Sequence, residues 1–468
     1  MSRDSLPSRK RPNPQAGLLS RRGDVYSNWN GVVVFTPKDF IAPKDIGELQ
    51  EVIKRSARLR IVGSCHSMNA AIAAGPDAIL VQLNNLKRIE KPTKEPGGGH
   101  SVWIEAGATL GDAAAALSRE GFAFPCLPQS PKITLGGMIA NGVHGSSLRE
   151  PASLAEHVMD LELITSSGQL TLVPSELLPL ARVSLGCLGA ITRVKVRVVA
   201  NFQLVSSSET LSADAALETQ NLIDDLNAHN FQLSYTYDPV THTVTRRTLD
   251  RVEPSQLNRF ADYPRKTQYD QVSFECIKSC ALICIARLPN SLFGLRDTAK
   301  RYTCAGALPI ERRIGESRFM FQTNLNHPAH DMAYAVPIGR CREILEKIAQ
   351  EFRRVGYQPD LPLGMRFLKG TDKVALAMNS SQDVAVIEWA SLIEFHDNAE
   401  AFRLFEHVLH GAGGRPHWAK EFSFNPKGAY PEDVWFAFSD LSARWGSKFA
   451  NEWSLRFSPA GDAIRIND

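Results

Sequence analysis

Two separated stretches of small residues constrain this chain more than anything else in it. The first, Gly63-Ser64-Cys65-His66-Ser67, follows directly on a short β-type run, Leu59 to Val62. The second is longer, running Gly136-Gly137-Met138-Ile139-Ala140-Asn141-Gly142-Val143-His144-Gly145-Ser146-Ser147. A loop that holds a pyrophosphate needs backbone N–H groups converging on the anion, with no side chain in the way. Glycine and small hydroxyl residues therefore dominate such loops. Both stretches meet the demand, yet neither has the spacing of a G-x-G-x-x-G dinucleotide fingerprint or a Walker A loop. Taken singly, each reads equally well as a glycine-rich surface turn.

The surrounding pattern is mixed. Asp45-Ile46-Gly47-Glu48 has the form of a capping box, and Leu49, Val52, Ile53 and Ala57 then recur at helical spacing. Strands are predicted at Val32–Phe35, Leu59–Val62, Ala78–Leu83 and Val102–Ala106. Thr109 and Asp112 cap a helix that Gly121 stops. A long loop is expected from Pro125 to Ser147, then a strand pair, Val158–Thr165 and Gln169–Val173, and a strand at Val194–Val198. The region reads as α+β. After about residue 201, helices (Ala215–His229, Arg340–Val355) alternate with strands (Gln232–Tyr237, Thr243–Thr248, Val384–Trp389), which predicts a second domain with an antiparallel sheet flanked by helices. A length of 468 residues also exceeds one core.

Composition narrows the function classes. A net charge of +3 argues against nucleic acid or anionic membrane as the main partner. No apolar run approaches the roughly 18 residues of a membrane span. Cys280–Leu288, interrupted by Arg287, fits a buried strand. Eight cysteines in 468 residues make no disulfide scaffold. Cys276, Cys280 and Cys284 are evenly spaced but lack C-x-x-C pairs, so they read as buried thiols and no metal site is expected. A reducing, cytoplasmic setting follows. Residues 1–24 carry Arg3, Arg9, Lys10, Arg11, Arg21 and Arg22 against Asp4 and Asp24, and read as a disordered basic tail. Arg21-Arg22 resembles an export signal, but Gly23-Asp24-Val25-Tyr26 stands where an apolar segment would be required.

Together the motifs are more specific. Arg60 to Ser67 (R-x-V-G-S-x-H-S), Glu105 to Thr109 (E-A-G-A-T), the second glycine stretch and Gly186 to Thr192 (G-C-L-G-A-I-T) come in an order that resembles the vanillyl-alcohol-oxidase superfamily of FAD enzymes. Arg415-Pro416-His417-Trp418-Ala419-Lys420 is similar to the R-P-H-W-G-K signature of its aldonolactone oxidase and alditol oxidase branch. The resemblance implies a two-lobed, PCMH-type FAD-binding domain over 25–200, a substrate domain over 201–420, and a segment 421–468 returning to the FAD domain. It implies FAD contacts from Val62, Gly63, Ser64, Cys65, His66 and Ser67, then from Pro128, Gln129, Ser130 and Thr134. Gly136, Gly137, Asn141, Gly142, His144 and Gly145 follow, with Gly186, Gly189, Ile191, His417 and Lys420.

In members with histidine at the position of His66, that residue is bonded covalently to the flavin. A neutral imidazole nitrogen is a suitable nucleophile; the alternative is a turn histidine hydrogen-bonded to backbone. Cys65 departs from the usual glycine and either tightens the turn or crowds the pyrophosphate. Ser130 stands where some relatives place a second linking cysteine, so a single link is expected. Pro128 takes the position that governs oxygen access. Lys420 and Arg366 are the implied catalytic cations. Gly364 replaces the glutamate of the branch's E-x-R strand, leaving room for a bulkier group. Glu388 is either a general base or a salt-bridged core residue. The implied activity is oxidation of a CH–OH group of a sugar lactone, alditol or similar polyhydroxylated metabolite, with molecular oxygen as acceptor. The alternatives are a dehydrogenase with another acceptor and a non-catalytic FAD-binding protein.

Overall fold

The computed structural model describes residues 20–229, 231–267, 312–320, 328–393 and 398–456. Cys276, Cys280, Cys284, the run Cys280–Leu288 and most of the basic tail lie outside them. Ser20–Arg22 (β1) pairs antiparallel with Val25–Ser27 (β2), with Arg21 opposite Tyr26. Gly23 turns this hairpin at φ 63°. Residues 20–24, which the sequence assigned to the basic tail, thus take part in this hairpin.

The first region has two lobes. In the first, Val34–Phe35 (β3) joins β2. Asp39–Ile41 (β4), Leu59–Val62 (β5) and Ile79–Gln82 (β6) form a parallel sheet with β6 central, and Ile46–Arg55 (α1) connects β4 to β5. The Asp45 carboxylate accepts from Glu48 N (2.8 Å), while the Glu48 carboxylate accepts from Lys44 N (2.8 Å), one residue earlier than in a capping box. Leu49, Val52 and Ile53 bury the inner face of α1.

The second lobe is an antiparallel sheet of Thr93–Lys94 (β7), His100–Glu105 (β8), Phe122–Ala123 (β9), Val158–Ile164 (β10), Leu170–Leu172 (β11) and Ala190–Ala200 (β12). Its order is β11-β10-β12-β8-β7, with β9 on β12. Leu110–Arg119 (α2) starts where Thr109 accepts from Asp112 N (3.1 Å) and ends at Gly121, at φ 79°. The stretch from Pro125 to Ser147 is not loop throughout, because Leu135–Ala140 is helical (α3). Gly136 is there for proximity: a Cβ on it would lie 2.8 Å from the Ala106 Cβ.

The second region is built on Gln203–Ser212 (β13), Gln232–Asp238 (β14), Thr243–Val252 (β15), Arg313–Glu316 (β16), Ala329–Pro337 (β17), Leu363–Leu368 (β18), Val384–Leu392 (β19) and Arg415–Pro416 (β20). These described strands form one antiparallel sheet, ordered β16-β13-β15-β14-β18-β19-β17-β20. The helix expected over Ala215–His229 is two, Ala213–Ala216 (α4) and Thr219–Ala228 (α5), because Glu218 N-caps the second by accepting from Asn221 N (2.9 Å).

Alternation gives the sheet two faces. Tyr235, Phe367, Ile387 and Trp389 point to the helices Cys341–Arg354 (α6) and Ala399–Gly411 (α7). There Trp389 stacks on Phe402 with centroids 4.3 Å apart and meets Phe352 at 5.1 Å. Ser234, Thr236, Gly364, Arg366, Glu388 and Asp331 are left on the other face. Its apolar part, with Ala333, Ala335, Leu368 and Val386, packs on Ala152 of the first region.

The helix Glu432–Gly446 (α8) returns the chain to the first region. Ser166 N donates to Trp445 O (2.7 Å), Leu59 N to Lys448 O (2.8 Å) and Arg60 Nη1 to Phe449 O (3.1 Å). A Cβ on Gly446 would lie 1.5 Å from Cys187 O. No helix among the described residues is long and apolar enough to cross a membrane.

Candidate active site

The turn after β5 is pressed against α3. A Cβ on Gly63 would fall 1.9 Å from Thr134 Oγ1, so only glycine lets the two glycine-rich stretches meet. Cys65 adopts a left-handed conformation, φ 55°, which explains why glycine suits this position. Its side chain does not crowd the loop: it is buried in a small cluster with Tyr26, Val62, Ile72, Ala78 and Leu80. Burial pushes the thiol up to about 12. His66 stacks on Trp29 with centroids 5.8 Å apart, and its Nδ1 is buried without a hydrogen-bond partner. Burial, reinforced by the positive charge of Lys132, pushes its imidazole down to about 4, so the ring is neutral at physiological pH.

The second stretch is stitched to the sheet of the second region. Asn141 Nδ2 donates to Gly137 O (2.8 Å) and closes α3. Further on, Gly145 N donates to Ala152 O (2.7 Å), Phe367 N to Ser146 Oγ (2.9 Å) and Ser147 N to Phe367 O (2.7 Å). Gly142 lies beside Val183, and Leu185 N donates to Ala140 O (2.9 Å). Gly186, at φ 67°, lies over the Arg60 guanidinium, whose Nη2 donates to Leu185 O (3.0 Å). A Cβ on Gly189 would meet Ile164 O at 2.6 Å, and Ile191 lies opposite Leu163 between β12 and β10. Gln129 and Ser130 are half-buried and Pro128 is buried; among the described residues the Gln129 and Ser130 side chains make no hydrogen bond.

The charged residues gather on the face of the second region's sheet that is turned away from α6 and α7. Lys420 is ion-paired with Asp331, and Arg366 with Glu388. Arg366 Nη1 donates to His144 O (3.2 Å), and the His144 and His417 rings lie 5.4 Å apart. The 417–420 loop is tied to the flank of the His66 turn. Met68 N donates to Ala419 O (2.8 Å), and Asn69 Nδ2 donates to Trp418 O (2.7 Å) and Lys420 O (2.8 Å). Trp418 anchors the loop through Nε1 to Leu376 O (2.7 Å).

Burial, then the nearby Arg366, pushes His144 down to about 3, and burial with His144 and Lys420 holds His417 well below its ordinary value. Burial pushes Asp331 up to about 6 against the opposing pull of Lys420. Burial also opposes ionisation of Glu388, but Arg366 and Lys420 outweigh it and hold its carboxyl below the ordinary value. Of the two readings of Glu388, the ion pair is thus present, on the face that meets the glycine-rich stretches. Asp331 and Asn69 are additions that the sequence did not reveal.

The unsatisfied atoms suit a flavin dinucleotide. His66 Nδ1, Trp29 Nε1, His144 Nε2, Arg366 Nε and Asp331 Oδ1 are all buried without partners, although buried polar groups in folded proteins normally have them. They sit on the His66 turn and the Trp29 stacked on it, on the second stretch, and on the sheet face that meets it. Among the described residues no group of three or more His, Cys, Asp or Glu could hold a metal ion.

Comparison with known proteins bears on the family and the fold. Residues 37–173 match an FAD binding domain, and residues 194–456 match D-arabinono-1,4-lactone oxidase. The chain is 26% identical over 407 residues to an L-gulono-1,4-lactone dehydrogenase of Mycobacterium tuberculosis, covering 85% of this chain and 89% of the relative. It is 24% identical over 423 residues to the L-gulonolactone oxidase of Bos taurus, with the same two coverages. An alditol oxidase of Streptomyces is 30% identical over 181 residues, 38% of this chain and 43% of that one. Among solved structures, a solvent-stable cholesterol oxidase superposes with a TM-score of 0.75 at 16% identity, covering 94% of this chain and 97% of the other, which speaks for the fold. With more than half of its length matched, this chain belongs to the D-arabinono-1,4-lactone oxidase family.

Proposed function

We propose that the protein is an FAD-linked oxidoreductase that oxidises a CH–OH group of a sugar lactone, an alditol or another sugar-like polyhydroxylated metabolite. The observation that carries this reading is the pair of ion pairs, Lys420–Asp331 and Arg366–Glu388, set on the sheet face to which the glycine-rich stretches are stitched. FAD held by these residues would supply the hydride acceptor, with molecular oxygen as the final electron acceptor and hydrogen peroxide as the reduced product. The turn Val62–Ser67 and the residues Thr134 to Gly145 hold the dinucleotide, with Gly186, Gly189 and Ile191 supporting them from below. Pro128, Gln129 and Ser130 border the oxygen side. Lys420, Arg366 and His417 supply donors and positive charge near the reacting carbon, and Glu388 accepts a substrate hydroxyl.

His66 carries the cofactor covalently. Its neutral ring and partnerless Nδ1 support that role, since a protonated imidazole has no free lone pair on either nitrogen, whereas the neutral ring has one. A cytoplasmic setting is supported by Cys65, Cys126, Cys187 and Cys341, all free and buried.

A second reading keeps the flavin but uses another electron acceptor, and it is favoured by the activity named for the Mycobacterium tuberculosis relative. Oxygen uptake during turnover separates the two. The first test is the visible spectrum before and after acid precipitation. Yellow colour is expected to stay with the pellet and to move to the supernatant in His66→Ala. Colour released from the wild-type protein would remove the covalent role, and a protein that takes up no FAD would overturn the proposal.

A further inference from the structure

Across β18 and β19, Gly364 stands directly opposite Glu388. A Cβ built on Gly364 would lie 2.8 Å from Glu388 Cγ and 2.9 Å from its Oε1, distances that real Cβ atoms essentially never show. Gly364 is not among the residues with positive φ, so its backbone would accept any residue. The glycine is therefore a matter of space: the Glu388 side chain lies over bare backbone on the neighbouring strand.

The carboxylate is only half committed. Oε2 takes Arg366 Nη2, whereas Oε1 accepts no hydrogen bond among the described residues. The Glu388 side chain is 21% exposed, against 11% for Arg366, so the free oxygen can be reached. On the far side of Gly364, in register, stands Thr236 of β14. Tyr235 and Tyr237 on either side of it are buried, so Thr236 shares the face of Glu388, and its hydroxyl makes no hydrogen bond among the described residues. The row Thr236–Gly364–Glu388 thus offers a free carboxylate oxygen and a free hydroxyl, with a bare strand between them.

We propose that Gly364 and Glu388 are a matched specificity pair. Glu388, lying over Gly364, accepts through Oε1 a hydroxyl next to the carbon that is oxidised, and Thr236 takes the adjoining one, so that the site selects vicinal diols. An ionised carboxylate is acceptor-only and binds hydroxyls, while a substrate lacking them leaves both groups unpaired. The proposal rests on the oxidase reading above and deepens it.

The test compares xylitol with 1,5-pentanediol, which keeps the terminal alcohols but lacks the neighbouring hydroxyls, using the flavin-loaded protein. The wild-type protein is expected to prefer xylitol by about 100-fold or more in kcat/KM. Glu388→Gln, which keeps the shape, and Gly364→Ala, which displaces the carboxylate, should each reduce that preference by about tenfold or more, mainly through KM for xylitol. Moving the carboxylate back, by Gly364→Glu with Glu388→Gly, should recover much of it. If Gly364→Ala does not fold, Glu388→Gln and the exchange variant decide. Variants that lose both substrates equally, or that change only the melting temperature, would overturn the matched pair while leaving the oxidase reading intact. Failure of xylitol and of L-gulono-1,4-lactone to bleach the wild-type flavin anaerobically would instead sink that reading, and this inference with it.

Discussion

At position 65 a side chain occupies backbone space that favours glycine, and the reason lies beneath the turn. The sulfur of Cys65 is buried in the Tyr26–Leu80 cluster, where its burial contributes roughly 1 kcal/mol. Its left-handed φ costs about the same. The two terms nearly cancel, so Cys65→Gly should leave the urea midpoint close to wild type and the flavin in place. Cys65→Val should cost about 1–3 kcal/mol, because a β-branched side chain is strained at φ 55°. Equal stability of the glycine and valine variants would show that the turn relaxes out of the left-handed region.

Among the elements, the contact that matters most is between the turn after β5 and α3. Gly63→Ala would set a methyl group 1.9 Å from Thr134 Oγ1 and force the two apart. Flavin retention after gel filtration should fall by about tenfold or more, by the sensitivity of preorganised sites to small displacements. Retention unchanged would mean that the two stretches need not touch.

What the sequence disclosed about the elements follows how local their causes are. β5 was legible to the residue, and α2 could be read from Thr109, Asp112 and Gly121, because strand and cap signals lie within a few positions of the structure they produce. α3 was hidden because the purpose of Gly136 is Ala106, in a different segment of the lobe. His66, Arg366 and Lys420 stood in recognisable motifs. Asp331 did not: it is one acid in an otherwise ordinary strand, and its partner Lys420 comes together with it only through the fold. The Gly364–Glu388 contact is likewise a property of strand register, which no stretch of sequence declares.

For the molecule as a whole, the neutral histidines set the response to acid. In the flavin-free protein His66 and His144 are pushed down to about 4 and about 3, and His417 is held well below its ordinary value, whereas in the unfolded chain each titrates near 6.5. Lowered folded values mean that the unfolded state takes up protons first. Their contribution is therefore complete above about pH 6.5 and is lost as pH falls toward 4, at up to about 1.4 kcal/mol per pH unit for each. Asp331, raised to about 6, acts in the opposite sense and offsets one of the three in the lower part of that window. Urea midpoints should be flat from pH 8 to 7 and decline increasingly below 6.5; a flat profile down to pH 5 would contradict the neutral assignment.

The docking of α8 bears on how the protein is made. Leu59, Arg60 and Ser166 hydrogen-bond to Trp445, Lys448 and Phe449, and Cys187 abuts Gly446, so the lobes made first lean on chain that is synthesised well after them. At ordinary rates of synthesis that delay is about half a minute. Throughout it the nascent lobes lack part of their own wall, so a stable flavin site has to wait until residues 445–449 are made and docked.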